Sequence, residues 1–253
     1  MKKIAYLTID DAPSADFMRK VHFLKSREIP AVFFCLGMHL ERRKEMAAVA
    51  VQEGYIIANH GYDHRPFSEL SMEECRIQIE RTDALIQSIY NQAGLERNER
   101  FFRFPYGDKG GYNGSDAFSV YSEKGLQRKN TIQLLLRQMK YTQPPFSGIT
   151  YSRYRNAGLL EDIDWYWTFD TMDWSITSSQ PVDEVRTLSD ALRRMEQDNP
   201  EDGLGLNDPV SEEIILIHDH PDSGEIFEAL VDRLLVKGFD LRLPAPGSKN
   251  RLS

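Results

Sequence analysis

Short unbroken apolar runs alternate along this chain with longer stretches whose apolar residues recur every three or four positions. "KIAYLTI" (3–9), "PAVFFCLG" (30–37), "YIIANH" (55–60), "DWYWTFD" (164–170) and "FDLRL" (239–243) read as strands, "RFFRFPYG" (100–107) as a strand stopped by Pro105, and "EIILIHDH" (213–220) as a strand running into a loop. Between them, residues 16–29 set Phe17, Val21, Leu24 and Ile29 at helical spacing. Residues 41–54 form a second helical stretch closed by Gly54. Residues 71–94 open on Ser71 with Glu74 three positions on, a capping box, and close at Gly94. Helices are also predicted over 126–140, 182–197 and 224–238.

Repeated strand-then-helix order implies a parallel sheet with helices outside. Seven or eight such strands favour a distorted, TIM-like β/α barrel over an open doubly wound sheet. No glycine-rich phosphate loop follows the first strand. We read residues 1–253 as a single domain with insertions around 108–125, 143–163 and 198–212.

Composition narrows the function classes. The formal net charge of -8 argues against a nucleic-acid binder, and the basic cluster "ERRKE" (41–45) is mixed in sign. No run approaches the roughly 20 apolar residues that span a bilayer. "MKKIAYLTIDD" lacks the long apolar stretch of an export signal, so a cytoplasmic location is expected. The cysteines, Cys35 and Cys75, exclude a disulfide framework and fit a reducing compartment.

The polar residues of interest fall at strand ends, where parallel β/α folds collect their chemistry. The first strand runs into Asp10 and Asp11, the third into His60 with His64 following, and the fourth into Arg103. The fifth runs into Asp170, Asp173 and Trp174, and the sixth into His218. Singly, each has a plain alternative: the acids as a helix cap, the histidines as loop surface, Arg103 as a salt-bridge residue. His22, His39 and His220 have only such plain readings. Together, one Asp and two His form a three-ligand set for a divalent metal with positions left open. A second carboxylate, an arginine and a further histidine remain for acid–base work.

"TIDDAPS", "NHGYDHRPFSELSMEE", "RFPYG", "DTMDW" and "ILIHD" resemble, in order, the five motifs of the polysaccharide deacetylases, the carbohydrate esterase family 4 with its NodB homology domain. The resemblance implies a hydrolase of non-peptide amide bonds that deacetylates an N-acetylated amino sugar. It implies that Asp11, His60 and His64 hold one divalent ion, zinc, with cobalt or nickel as substitutes. Asp10 would be the general base, paired with Arg103, and the Tyr106 main-chain N–H would assist at the oxyanion. His218 would be the general acid, oriented by Asp173, while Trp174 and Leu216 would wall the acyl pocket and Asp170 would brace the Arg103 side. The chain departs from the family pattern at Ile9, at Ala12 in place of glycine, and at Gly61 in place of a hydroxyl residue. The last departure predicts that the His64 loop needs another brace.

An amidase or imidase acting on a small cytosolic metabolite is the alternative within enzymes, and a non-catalytic glycan-binding module the alternative outside them. Tyr112, Trp165 and Trp167 could stack on sugars, although core packing accounts for the Trp165/Trp167 alternation.

Overall fold

A computed structural model describes residues 2–111, 118, 120–198, 200 and 205–244. Tyr112 and parts of the 108–125 and 198–212 segments lie outside them. The strands are β1 (Ile4–Ala12), β2 (Val32–Cys35), β3 (Ile56–Asn59), β4 (Phe169–Asp170), β5 (Glu213–His218) and β6 (Asp240–Leu241). The helices are α1 (Phe17–Ser26), α2 (Gly37–Arg42), α3 (Lys44–Gln52), α4 (Met72–Ala93), α5 (Glu123–Gln138), α6 (Ser152–Asn156), α7 (Leu188–Arg194) and α8 (Gly224–Val236).

All strand pairs are parallel, in the order β3-β2-β1-β5-β4, with β6 against the start of β1. The regular ladder is open between β3 and β4. Isolated hydrogen bonds carry the ring across that gap: Asn59 N donates to Phe101 O, Arg103 N to Asn59 O, and Trp165 N to Phe102 O, while Thr168 N to Ile214 O extends the pairing of β4 with β5. The fourth expected strand, 100–107, is thereby reduced to one parallel bridge, Asn59 to Phe102. Pro105, which lacks an N–H, stops it at the 3₁₀ turn Pro105–Gly107. The result is a parallel α/β sheet curled into a distorted, partly laddered ring.

Side-chain parity divides the core. Leu7, Ile9, Phe33, Cys35, Ile57, Ile215 and Ile217 belong to the cluster that includes buried residues of α1, α3, α4, α7 and α8. Val32, Phe34, Ala58 and Ile214 belong to a second cluster with Phe101, Phe146, Ile149, Tyr151, Tyr154 and Trp165. The 143–163 segment is therefore woven into the core, with α6 contributing Tyr154. The second face is the one that matters for chemistry, because period-two alternation continues it to Asp10, His60, Leu216 and His218 at the strand ends.

The helices follow their end signals. Ser71 Oγ accepts from Glu74 N while Glu74 Oε2 accepts from Ser71 N, and Gly94 caps α4 in the left-handed region. The expected helix 182–197 shortens to α7 because Thr187 and Asp190 build a capping box at its start. The expected helix 41–54 is α3 preceded by a separate α2, broken at Arg43, whose ψ of 38° leaves the helical region. Among the described residues no helix is long and apolar enough to cross a membrane.

Candidate active site and metal centre

A cavity of about 470 Å³ opens at the C-terminal ends of the strands. The acids Asp10, Asp11 and Asp170 and the histidines His60, His64, His218 and His220 line it, with Tyr106, Trp167, Trp174 and Leu216 as apolar wall. Every polar strand end singled out in the sequence reaches this site or stands directly behind it.

Strand alternation alone would send Asp10 and Asp11 to opposite faces. The structure does otherwise, and a bulge is the reason. Asp10 pairs with Phe34 and Ala12 with Cys35, so Asp11 is the extra residue, at φ 66°. The bulge turns Asp11 to the same side as Asp10: His60 Nε2 lies 3.5 Å from Asp10 Oδ2 and 3.7 Å from Asp11 Oδ1. The positive φ falls on Asp11 and not on Ala12. A Cβ at position 12, where the family has glycine, is therefore accommodated without strain.

Asp11 Oδ1 also lies 3.3 Å from His64 Nε2. The ligand atoms of Asp11, His60 and His64 fall within 4.8 Å of one another. His60 Nδ1 bonds the carbonyl of Arg103 at 2.8 Å; a carbonyl only accepts, so that nitrogen carries a proton and Nε2 is the ring nitrogen that faces the two acids. Burial, aided by the His60 ring, pulls His64 down to about 4 against the attraction of Asp11, so its imidazole is neutral near pH 7. Burial works against charge on Asp11, but His64, His220, His218 and His60 outweigh it and hold this carboxyl well below the usual range. Asp11 Oδ1 is buried and makes no hydrogen bond among the described residues. A bare carboxylate oxygen facing two imidazole nitrogens fits a divalent cation.

Asp10 is tied to a different cation. Arg103 Nη1 donates to Asp10 Oδ1 at 2.7 Å and to Thr8 Oγ1 at 2.9 Å, and Nε donates to Trp165 O at 2.5 Å. Arg103 is fully buried, its guanidinium 4.4 Å from the Phe34 ring centre. The third group is His218, whose Nδ1 lies 2.9 Å from Asp173 Oδ1; Asp173 also accepts from His218 N and from Thr171 Oγ1. Burial opposes charge on His218, but Asp173, with Asp170 and Asp11, pushes its pKa up to about 10. Asp170 accepts from Met172 N and from the Trp174 indole, whereas the hydrogen bonds of Arg103 to side chains go to Thr8 and Asp10. The expected brace from Asp170 to Arg103 is replaced by one to Trp174.

Non-glycine residues with positive φ gather here: Asp11, His64, Tyr106 and Met172. Such conformations persist only where the surroundings impose them. The surroundings of His64 answer the question raised by Gly61. Gly61 sits at φ +76°, where glycine is at ease, and Thr82 Oγ1 donates to its carbonyl from α4. Gln78, one turn earlier on α4, accepts from Tyr62 N and Asp63 N and donates to Asp63 Oδ1. The missing loop hydroxyl is thus replaced by two polar residues of the neighbouring helix. Gln78→Ala should strand these loop N–H groups and cost about 1–3 kcal/mol in a urea titration. A loss under about 0.5 kcal/mol, the range of an ordinary surface change, would remove Gln78 from this role.

Sequence reasoning missed three contributors, His220, His39 and Asp219. His220 Nε2 lies 3.0 Å from Asp11 Oδ2, and His39 Nδ1 donates to Asp11 O at 2.8 Å. Asp219 pairs with buried Lys20 at 2.6 Å and accepts from Ser14 N and Oγ, tying the two loops of the site together. Trp167, offered by the sequence for sugar stacking, lines the cavity and stacks on Tyr166 while also packing against the core cluster that holds the fully buried Trp165. Asp219 had a usable signal, its place directly after His218; a lone His39, read as loop surface and found within α2, had none.

Residues 1–128 match the polysaccharide deacetylase family. The chain belongs to that family. It is 25% identical over 239 residues to the Bacillus subtilis protein YheN, named for polysaccharide deacetylation, covering 94% of this chain and 65% of that one. It is 32% identical over 103 residues to a peptidoglycan-N-acetylglucosamine deacetylase of Bacillus cereus, 40% of this chain and 36% of the other. The chain spans less than two thirds of the length of either curated relative. The structure of the peptidoglycan deacetylase PdaC from Bacillus subtilis shares the fold, with a TM-score of 0.60 and 23% identity over 95% of this chain and 87% of that one. In this polysaccharide deacetylase family member the five motif segments meet at one cavity.

Proposed function

We propose that this chain is a metal-dependent hydrolase that removes the acetyl group from an N-acetylated amino sugar of a glycan. The observation that carries the reading is the convergence on one open cavity of three separately wired units: Asp10 with Arg103, Asp11 with His60 and His64, and His218 with Asp173. Membership of the polysaccharide deacetylase family and the deacetylase names of its relatives support it.

Asp11, His60 and His64 are the residues to hold the metal, and their one-carboxylate, two-imidazole donor set suits zinc, with cobalt or nickel able to substitute. When bound, a divalent ion there supplies Lewis-acid polarisation of the acetyl carbonyl and lowers the pKa of water. Asp10, aimed by its hydrogen bond from Arg103, takes a proton from the attacking water as its oxygen bonds to the acetyl carbon. The main-chain N–H of Tyr106, in the turn after Pro105 where Tyr106 takes φ 58°, donates to the carbonyl oxygen as negative charge grows on it. His218 holds its Nδ1 proton toward Asp173 and delivers its Nε2 proton to the sugar nitrogen as the C–N bond breaks. Acetate and a free amine leave. Leu216 and Trp174 close around the acetyl methyl, and the rings of Tyr106 and Trp167 offer faces to the sugar.

The test couples metal analysis to an acetate-release screen. We expect about one divalent ion per chain, the loading of a single three-ligand site, and acetate from N-acetylated chito-oligomers or peptidoglycan fragments. Metal-loaded protein that hydrolyses only small N-acyl compounds or cyclic imides would overturn the glycan reading in favour of a small-amide hydrolase.

A further inference from the structure

His220 stands outside the five motifs, yet it makes the side-chain hydrogen bond to the second oxygen of Asp11. A carboxylate at this pH only accepts, so the His220 Nε2–H donates to Asp11 Oδ2 across 3.0 Å. The other oxygen, Oδ1, faces His60 and His64 and makes no hydrogen bond among the described residues. The two oxygens of one carboxylate are therefore assigned to different partners. The imidazole is itself anchored: its Nδ1 lies 3.2 Å from Thr177 Oγ1. Its main-chain carbonyl accepts from buried Lys20 Nζ at 3.0 Å and from Ser223 Oγ at 2.7 Å. The ligand atoms that cluster for a metal are those of Asp11, His60 and His64; His220 is not among them.

We infer that His220 is a positioning residue for the metal ligand Asp11: by occupying Oδ2 it makes Asp11 a one-oxygen ligand and keeps a coordination position free for water and substrate. The inference rests on the metal site proposed above. A carboxylate released from His220 can rotate and offer both oxygens, which fills the position that catalysis needs open. The geometry also explains why the loop after β5 is pinned by a buried ion pair: Lys20 and Asp219 fix the height of His220 beside the bulge at Asp11.

The test measures metal binding directly on the full chain, stripped and reloaded with Zn²⁺ in competition with a chromophoric chelator. His220→Ala should weaken Zn²⁺ binding by about 10- to 100-fold, the usual effect of losing a hydrogen bond behind a metal ligand. His220→Gln, which keeps an N–H at similar reach, should restore most of it. With Co²⁺ in place of Zn²⁺, the visible d–d absorption of the Ala variant should fall as Asp11 adds a second oxygen. Should His220→Ala not fold, Thr177→Val removes only the outer anchor and should shift binding in the same direction by a smaller factor. Unchanged Zn²⁺ affinity in a folded Ala variant, or a Gln variant no better than Ala, would overturn the inference. These readouts do not depend on which amide is hydrolysed, so they stand apart from the substrate assignment.

Discussion

Asp10→Asn is expected to lower turnover by about 10²- to 10⁴-fold, the usual contribution of a positioned general base, while the metal content stays unchanged. The separation follows from the wiring. Asp10 Oδ1 belongs to Arg103, and Asp10 is not in the ligand cluster. The substitution has a second, independent consequence. Arg103 is fully buried over Phe34, and removing the charge opposite it leaves a cation in the interior without its counter-ion. Breaking such a pair costs on the order of 3–5 kcal/mol, less where the replacement still accepts a hydrogen bond, as Asn does. The double variant Asp10→Asn with Arg103→Met should regain part of that stability, because the orphaned charge is gone, and regain no activity. Steady-state acetate release and denaturant titration on the two variants check this. Turnover of Asp10→Asn within tenfold of the parent would remove Asp10 as the base.

How much of this arrangement the sequence made legible depends on the kind of signal. The parallel β/α order, the capping box at Ser71 and the gathering of Asp11, His60, Arg103, Asp173 and His218 at one rim could all be read. Each rests on a periodicity or a spacing that local physics reproduces. The bulge at Asp11 could not. Its φ of 66° is imposed by β2 on one side and β5 on the other, and an Asp–Asp pair carries no mark of it. The fourth strand was over-read because an apolar run bounded by proline looks the same whether it makes a ladder or a single bridge. His220 was passed over because period two puts it on the same face as His218 without saying whether the strand continues that far. In fact β5 ends at His218, and the loop is turned toward Asp11 by Lys20, a residue about two hundred positions away in sequence. What stayed hidden is what distant segments decide.

Asp173→Asn is expected to move the alkaline limb of activity down toward neutrality. A general acid works only when protonated. In the parent, the Asp173 carboxylate stabilises the His218 imidazolium against the cost of burial and carries its pKa to about 10. Part of that rise comes from Asp11, whose pull is cancelled when a divalent ion occupies the trio. The limb of the loaded enzyme therefore falls at or below about 10. With Asn at 173 the main opposing charge disappears and only the weaker pull of Asp170 and Asp11 is left against burial, so the His218 pKa falls from about 10 and the acid loses its proton at lower pH. The kcat/KM profile should lose its activity from the alkaline side, most severely above pH ~7, while at acidic pH the variant approaches the parent. Stability has a matching sign. A histidine whose pKa is raised on folding contributes most below its unfolded pKa, and that contribution is lost as pH rises through the folded value. The parent should therefore weaken between about pH 6.5 and 10, and Asp173→Asn should flatten that slope. Parallel pH series of acetate release and of thermal unfolding measure both. An alkaline limb unmoved by Asp173→Asn would show that the group titrating there is not His218, and the acid would then have to be sought elsewhere on the cavity wall.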